Sequence, residues 1–346
     1  MSIYHKIVRK IGIAFALSGV ASMAFINVNA YAEQKYNWKI SQGIAEDHPA
    51  AERAKQFADL VGERTDGRFN IKYYPSGVLG DWSEQIEANR MGTLELSLNA
   101  GSTTYDKRLN LTFMPYMFRT WDQVREASKA DGWLMPIFDD LYGQVGMKVL
   151  GVYLNAWGGM AFTDRVNHIA KTPETFKGIK IRTPPILIFE SYIPALGFIS
   201  TPIAFSETYS ALQTGIVDAR SAAPAVEAYV MRDALDYWVE TRDNFEYWFL
   251  TVNAKKWEAL SKEDQAMLQE VANEVMSEQA IEAEKDEQRF KQQLADAGVT
   301  VHELSQEEWE QSARVVRNEV WPLIEKELLG PELMQIVLDN VPQLAD

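Results

Sequence analysis

The segment Phe176-Lys177-Gly178-Ile179-Lys180-Ile181-Arg182-Thr183-Pro184 carries the clearest candidate chemistry in this chain. Its alternation predicts a strand with Ile179 and Ile181 on one face and Lys180 and Arg182 on the other. Pro184 ends that strand or holds it at an edge. An arginine at the carboxyl end of a strand sits where open α/β sheets bind their ligands. Its planar fork matches a carboxylate with two parallel hydrogen bonds. On spacing alone, the competing and simpler reading is a solvent-facing arginine on an edge strand. Aromatics near this and neighbouring segments, Trp157, Phe205, Tyr247 and Trp248, are candidate pocket walls, although aromatics also dominate cores. The loop with Glu46, Asp47 and His48, and Thr103 with Tyr105 after Gly101, are further candidates.

Catalytic patterns are missing. No G-x-S-x-G elbow, phosphate-binding loop, H-E-x-x-H or G-x-G-x-x-G occurs. The four histidines, at positions 5, 48, 168 and 302, lack metal-ligand spacing, so no metal site and no cofactor is expected. With 49 acidic residues, adjacent pairs such as Glu46 and Asp47 arise by chance and read as solvated loop charges. Without cysteine there is no disulfide, thiolate nucleophile or zinc–sulfur site.

The elements around Arg182 alternate between strand and helix. Lys39–Gln42 opens as a strand. Ala50, Ala51, Ala54, Phe57, Ala58 and Val61 recur at helical spacing before Gly67. Phe69, Ile71 and Tyr73 alternate as a half-buried strand, Ser83–Arg90 reads as a helix stopped by Gly92, and Leu94, Leu96 and Leu98 alternate again. Met147–Leu154, Ile216–Asp218 and Tyr247–Val252 are strand-like. A helix after Phe205 is expected to take Ser206 as its N-cap and Gly215 as its stop. Such passages predict a largely parallel α/β sheet. Ser261 with Asp264 resembles a capping box and opens a long charged helix running toward Gln293 and closed by Gly298. Val299–Leu304 reads as a strand, and Ser305 with Glu308 caps another helix.

Lys6, Arg9 and Lys10, an apolar stretch from Ile11 to Ile26, and Ala30-Tyr31-Ala32 read as a cleaved secretory signal, with the mature chain starting near Glu33. Its loss takes the formal net charge from −15 to −18 by removing those three cations. A chain this acidic is not expected to follow a nucleic-acid backbone or an anionic membrane. Any anion it captures must be held by a local cation. The length predicts about two domains.

The run Lys177–Arg182, the segment Thr201-Pro202-Ile203-Ala204-Phe205-Ser206-Glu207-Thr208-Tyr209-Ser210-Ala211-Leu212-Gln213-Thr214-Gly215-Ile216-Val217-Asp218, the run Tyr74–Gly80 and the run Ile86–Gly92 resemble the extracytoplasmic solute-binding proteins of tripartite ATP-independent periplasmic (TRAP) transporters. The resemblance implies a two-lobed, periplasmic-binding-protein-like α/β fold with a long helix spanning both lobes. It implies a signal over 1–32, a first-lobe segment over 33–155, a second-lobe segment over 156–244, a return to the first lobe over 245–285, and C-terminal helices over 286–346 packing across both lobes. It further implies a periplasmic monomer that takes a small organic acid, a carboxylate or a sulfonate, through Arg182. The lobes then close and the solute passes to sodium-coupled TRAP permease subunits, without turnover. A sensor or another uptake system would use the same cleft, and a periplasmic hydrolase would need a nucleophile–base pair. Two departures stand out. A second arginine of many sialic-acid-type members would fall near Gly159, and a ligand-binding asparagine near Ala222. Arg220 replaces a common glutamine and could be a second cation in the cleft or a lobe-surface charge.

Overall fold

The computed structural model describes residues 34–344. The secretory-signal reading therefore lies outside the described residues. Among the described residues eleven strands run in chain order: β1 (Tyr36–Ser41), β2 (Phe69–Tyr74), β3 (Leu96–Ala100), β4 (Met147–Trp157), β5 (Met160–Phe162), β6 (Lys180–Thr183), β7 (Ile199–Pro202), β8 (Ala219–Arg220), β9 (Tyr237–Glu240), β10 (Phe245–Asn253) and β11 (Thr300–Glu303). They form two sheets, ordered β2-β1-β3-β10-β4 and β11-β9-β5-β8-β6-β7.

Each sheet is the centre of one lobe. In the first, β1 pairs in parallel with β2 and β3, while β10 runs antiparallel to β3 and β4. In the second, β6 is parallel to β7 and β8, β11 is parallel to β9, and β5 is antiparallel to β8 and β9. The sheets are thus mixed rather than largely parallel. The reason is the crossing topology. The chain leaves the first lobe through β4 into β5 and returns through β9 into β10, and a strand that comes back runs against its neighbour.

These crossings are tight. A side chain at Gly158 would collide with Asn244, and one at Gly159 with the Trp238 indole. Two strands can pass between lobes at this spacing only with glycine there. In the other crossing, the buried Asp243 carboxylate accepts hydrogen bonds from the Tyr192 hydroxyl at 2.5 Å and from Thr241, and its backbone carbonyl accepts from Tyr116 N.

The long helix covers Lys262–Asp296, 35 residues, or about 52 Å at the α-helical rise. Ser261 caps it, its Oγ accepting from Asp264 N at 3.1 Å. Asp264 does not complete a capping box. Its carboxylate instead holds the Arg68 guanidinium through both oxygens. The helix packs on the helix Pro49–Arg64 and on β4 in the first lobe, and on the helix Ala225–Val230 and β11 in the second. Near the crossings its buried Glu287 accepts from Trp157 N and from Trp121 Nε1, each at 3.0 Å.

Several local expectations shift. The helix Phe205–Thr214 starts one residue before Ser206, with Ala204 at the cap position and no side-chain cap. Gly215 closes it in the left-handed conformation at φ 74°. The strand expected at Ile216–Asp218 falls instead at Ala219–Arg220, and Ile216 is 59% exposed. A Gly-Ile-Val run looks strand-like by propensity, but here it is the turn out of the helix.

Candidate functional site

Arg182 lies in β6, one strand in from the sheet edge, and pairs in register with Arg220 of β8. Its strand neighbour Lys180 is exposed, whereas Arg182 is only 3% exposed. Pro184 follows β6 at once, and the next chain segment turns away. The Nε atom of Arg182 donates to the Ile203 carbonyl at 2.9 Å. Its backbone carbonyl accepts from Ser221 N at 2.9 Å and Ser221 Oγ at 3.1 Å. Among the described residues, nothing bonds its two terminal nitrogens and no carboxylate lies within ion-pair distance. Burial first, and then the charge on Arg220, push its pKa well below the ordinary guanidinium value. A buried charge is normally paired, because desolvating it alone is costly. Here the pairing group is missing and the two nitrogens of the fork stay free.

Arg220 is fully buried but differently placed. One terminal nitrogen donates to Glu227 at 2.7 Å and to the Ala222 carbonyl, the other approaches the Met231 sulfur at 3.3 Å, and the guanidinium lies 5.6 Å from the centre of the Phe205 ring. Phe205 itself is 39% exposed. Ala222 adopts φ 46°, a left-handed conformation that costs an alanine about 1–2 kcal/mol. The space near Gly159 is filled by Trp238, whose Nε1 donates to the Ala223 carbonyl at 2.7 Å.

The first lobe supplies the facing wall. Glu246 of β10 accepts from Asn155 Nδ2 at 3.1 Å and from Trp248 Nε1 at 2.9 Å. Trp248 stacks on His48, with ring centres 5.0 Å apart and planes 13° from parallel. His48 is the N-cap of the helix Pro49–Arg64, and its Nδ1 accepts from Ala50 N at 3.1 Å. That bond places the ring proton on Nε2, which is buried and unpartnered. Burial lowers the His48 pKa to about 3, so the ring is neutral. A crevice runs between His48, Tyr153 and Asn155 on one side and Val226 on the other, along Asp286 and Phe290 of the long helix. Arg220, Glu227 and Glu246 all lie near enough to Arg182 for their charges to act on it.

The structure thus brings Arg182, Arg220, Ala222, Phe205, Trp248 and His48 to this region. It does not bring the others. Trp157 is buried edge-on against Trp121 and Phe245, and Tyr247 packs against Phe138 and Phe245 in the first-lobe core. Glu46 forms an exposed ion pair with Lys55 at 2.6 Å. Thr103 lies half-buried in the loop after β3, and its neighbour Tyr105 sits beside Arg90, ring centre 4.5 Å from the guanidinium carbon. Glu246, Asn155 and Glu227 did not emerge from motif reasoning. The first two had a signal: each is a lone polar residue inside an apolar, aromatic strand, Phe245-Glu246-Tyr247-Trp248 and Tyr153-Leu154-Asn155-Ala156-Trp157, where a polar group must find a partner. Glu227 had none. No cluster of potential metal ligands occurs among the described residues.

Comparison with known proteins places the chain in a family. A family profile described as bacterial extracellular solute-binding protein, family 7, matches residues 40–326. A solute-binding protein of Chromohalobacter salexigens is 28% identical over 294 residues, 84% of this chain and 85% of that one. The C4-dicarboxylate-binding periplasmic protein of Rhodobacter capsulatus is 26% identical over 298 residues, 82% of this chain and 85% of that one. Among solved structures, a TRAP periplasmic solute-binding protein from Chromohalobacter salexigens with bound D-glucuronate superposes with a TM-score of 0.79 at 25% identity, covering 88% of this chain and 98% of that one.

Proposed function

Since the chain belongs to bacterial extracellular solute-binding protein family 7, we propose that it captures a small organic acid in the cleft between its lobes, with Arg182 as the anchor for the carboxylate. One observation carries this reading. Arg182 is buried, has one nitrogen on the Ile203 carbonyl, and leaves a fork of two nitrogens unpaired beside a second cation, Arg220. A carboxylate would satisfy both nitrogens and compensate the buried charge at once.

The protein works without turnover: it binds, the lobes close by hinge motion at the two crossings, and the loaded form delivers its solute to a sodium-coupled TRAP permease. The secretory signal read over residues 1–32 supports a periplasmic location. Capture at micromolar to nanomolar concentration needs about 8–12 kcal/mol. A charge-assisted bond contributes about 1.5–3 kcal/mol net, so Arg182 orients the acid while the opposite wall and apolar burial against Phe205 supply the rest.

Native mass spectrometry of the purified protein tests the function directly. The expected result is a co-purifying organic acid that is lost on denaturation and restores a thermal shift when added back. A panel of organic acids that leaves the melting temperature unmoved, together with a ligand-free spectrum, would sink it.

A further inference from the structure

Resting on that reading of Arg182, the facing wall decides what the rest of the solute must look like. The acids of this protein fall into two groups. Glu240 is 2.6 Å from Lys291 and Glu227 is 2.7 Å from Arg220. Glu246, like the buried Asp243 and Glu287, accepts from neutral donors instead. Its two oxygens accept only from neutral donors, Asn155 and Trp248, and no cation lies within ion-pair distance among the described residues. Burial and the charge on Glu227 push its pKa up to about 8, the direction expected of a carboxyl so placed. Beside it, the Nε2–H of His48 is a buried donor without an acceptor. The same wall therefore offers acceptor oxygens on Glu246 and an unused N–H on His48.

A hydroxyl both donates and accepts, so it can answer both groups. An ammonium group can donate to Glu246 but cannot accept from His48. A second carboxylate accepts from His48 but, once Glu246 is ionised, meets it as a like charge in a desolvated site, which disfavours that carboxylate. We propose that Glu246, with His48, reads hydroxyl groups at the end of the solute far from Arg182, so that the ligand is a polyhydroxylated monocarboxylate and Glu246 excludes its dicarboxylate counterpart.

Twin acids that differ only in a terminal hydroxymethyl or carboxylate group test this: threonate against tartrate, and gluconate against glucarate. Titration calorimetry at pH 8.5, where the carboxyl is largely ionised, should show at least one hydroxymethyl member binding about tenfold or more tighter than its twin. Glu246→Gln removes the charge and keeps the shape, and should shrink that preference by about the same factor. If this variant fails to fold by circular dichroism, the wild-type twin ratio decides alone. The proposal is overturned if the dicarboxylate twin binds as tightly as its partner, if Glu246→Gln folds and leaves the ratio unchanged, or if the wild type binds none of the four. Failure of the anchor reading looks different: Arg182→Ala would then keep its affinity for whichever acid binds the wild type, whatever the twin ratio.

Discussion

Arg182 and Arg220 are opposite each other in neighbouring strands, equally buried, and yet they do different work. Arg220 is surrounded by its own chain: a carboxylate, a carbonyl, a sulfur and an aromatic face. Arg182 has a single carbonyl. A guanidinium paired with a carboxylate of its own chain, as Arg220 is even with its Nε unpartnered, is a structural element, and one whose fork the same fold leaves unpaired is suited to receive an anion. Burial does not separate the two; the partner list does.

The comparison can be broken most forcefully from the Arg220 side. Glu227→Ala should destabilise the protein by about 3–5 kcal/mol, because it strands a buried charge beside Arg182. Chemical denaturation would show it, and a loss within error would mean that Arg220 is not held by that pair. Arg182→Ala should behave in the opposite way. It should weaken solute binding at least about tenfold, and Arg182→Lys should rescue little, since an ammonium lacks the fork. The unliganded melting temperature should hold or rise, because an uncompensated buried charge is removed. Calorimetry and thermal melts on both variants separate the two roles.

His48 gives an intermediate case, one nitrogen bonded and one free. Its folded pKa of about 3 lies below the ordinary histidine value of 6.5. Between those values the unfolded chain binds a proton that the folded protein refuses, so stability is lost as pH falls, by about 1.4 kcal/mol per pH unit. His48→Asn keeps a capping side chain without titrating, and should show a shallower loss between pH 6.5 and 4 than the wild type in parallel denaturation curves. The smallest effect concerns the loop that holds Arg220. Ala222→Asn places a residue tolerant of the left-handed region at φ 46° and should stabilise the fold by up to about 1 kcal/mol. A drop in melting temperature would show that the methyl group, rather than the conformation, matters there.

Much of this was legible in the sequence. Ser261 and Gly298 bracket the long helix, Gly215 marks a helix end, and the Ile179–Arg182 alternation locates Arg182 on a strand. Those signals are local: a cap, a left-handed turn, a period of two. What stayed hidden was tertiary. The phase of the Arg182 side chain against solvent depends on β6 lying between β7 and β8. Trp157 and Tyr247 look no different in sequence from Trp248, yet Tyr247 packs on Phe138 and Phe245 while its strand neighbour Trp248 turns to the other face, against His48 and Tyr153. His48 reads as a loop residue until the helix it caps is in view.

The placement of the tryptophans has a practical outcome. Trp248 donates to Glu246 and stacks on His48, while Trp238 and Trp157 lie at the points where the chain passes from lobe to lobe. Indole emission responds to local polarity and to nearby charges, so these rings form an intrinsic optical gauge. Changes in ultraviolet fluorescence should report the arrival of a solute without any dye, label or radioactive tracer, and a plate of candidate acids can be screened by light alone.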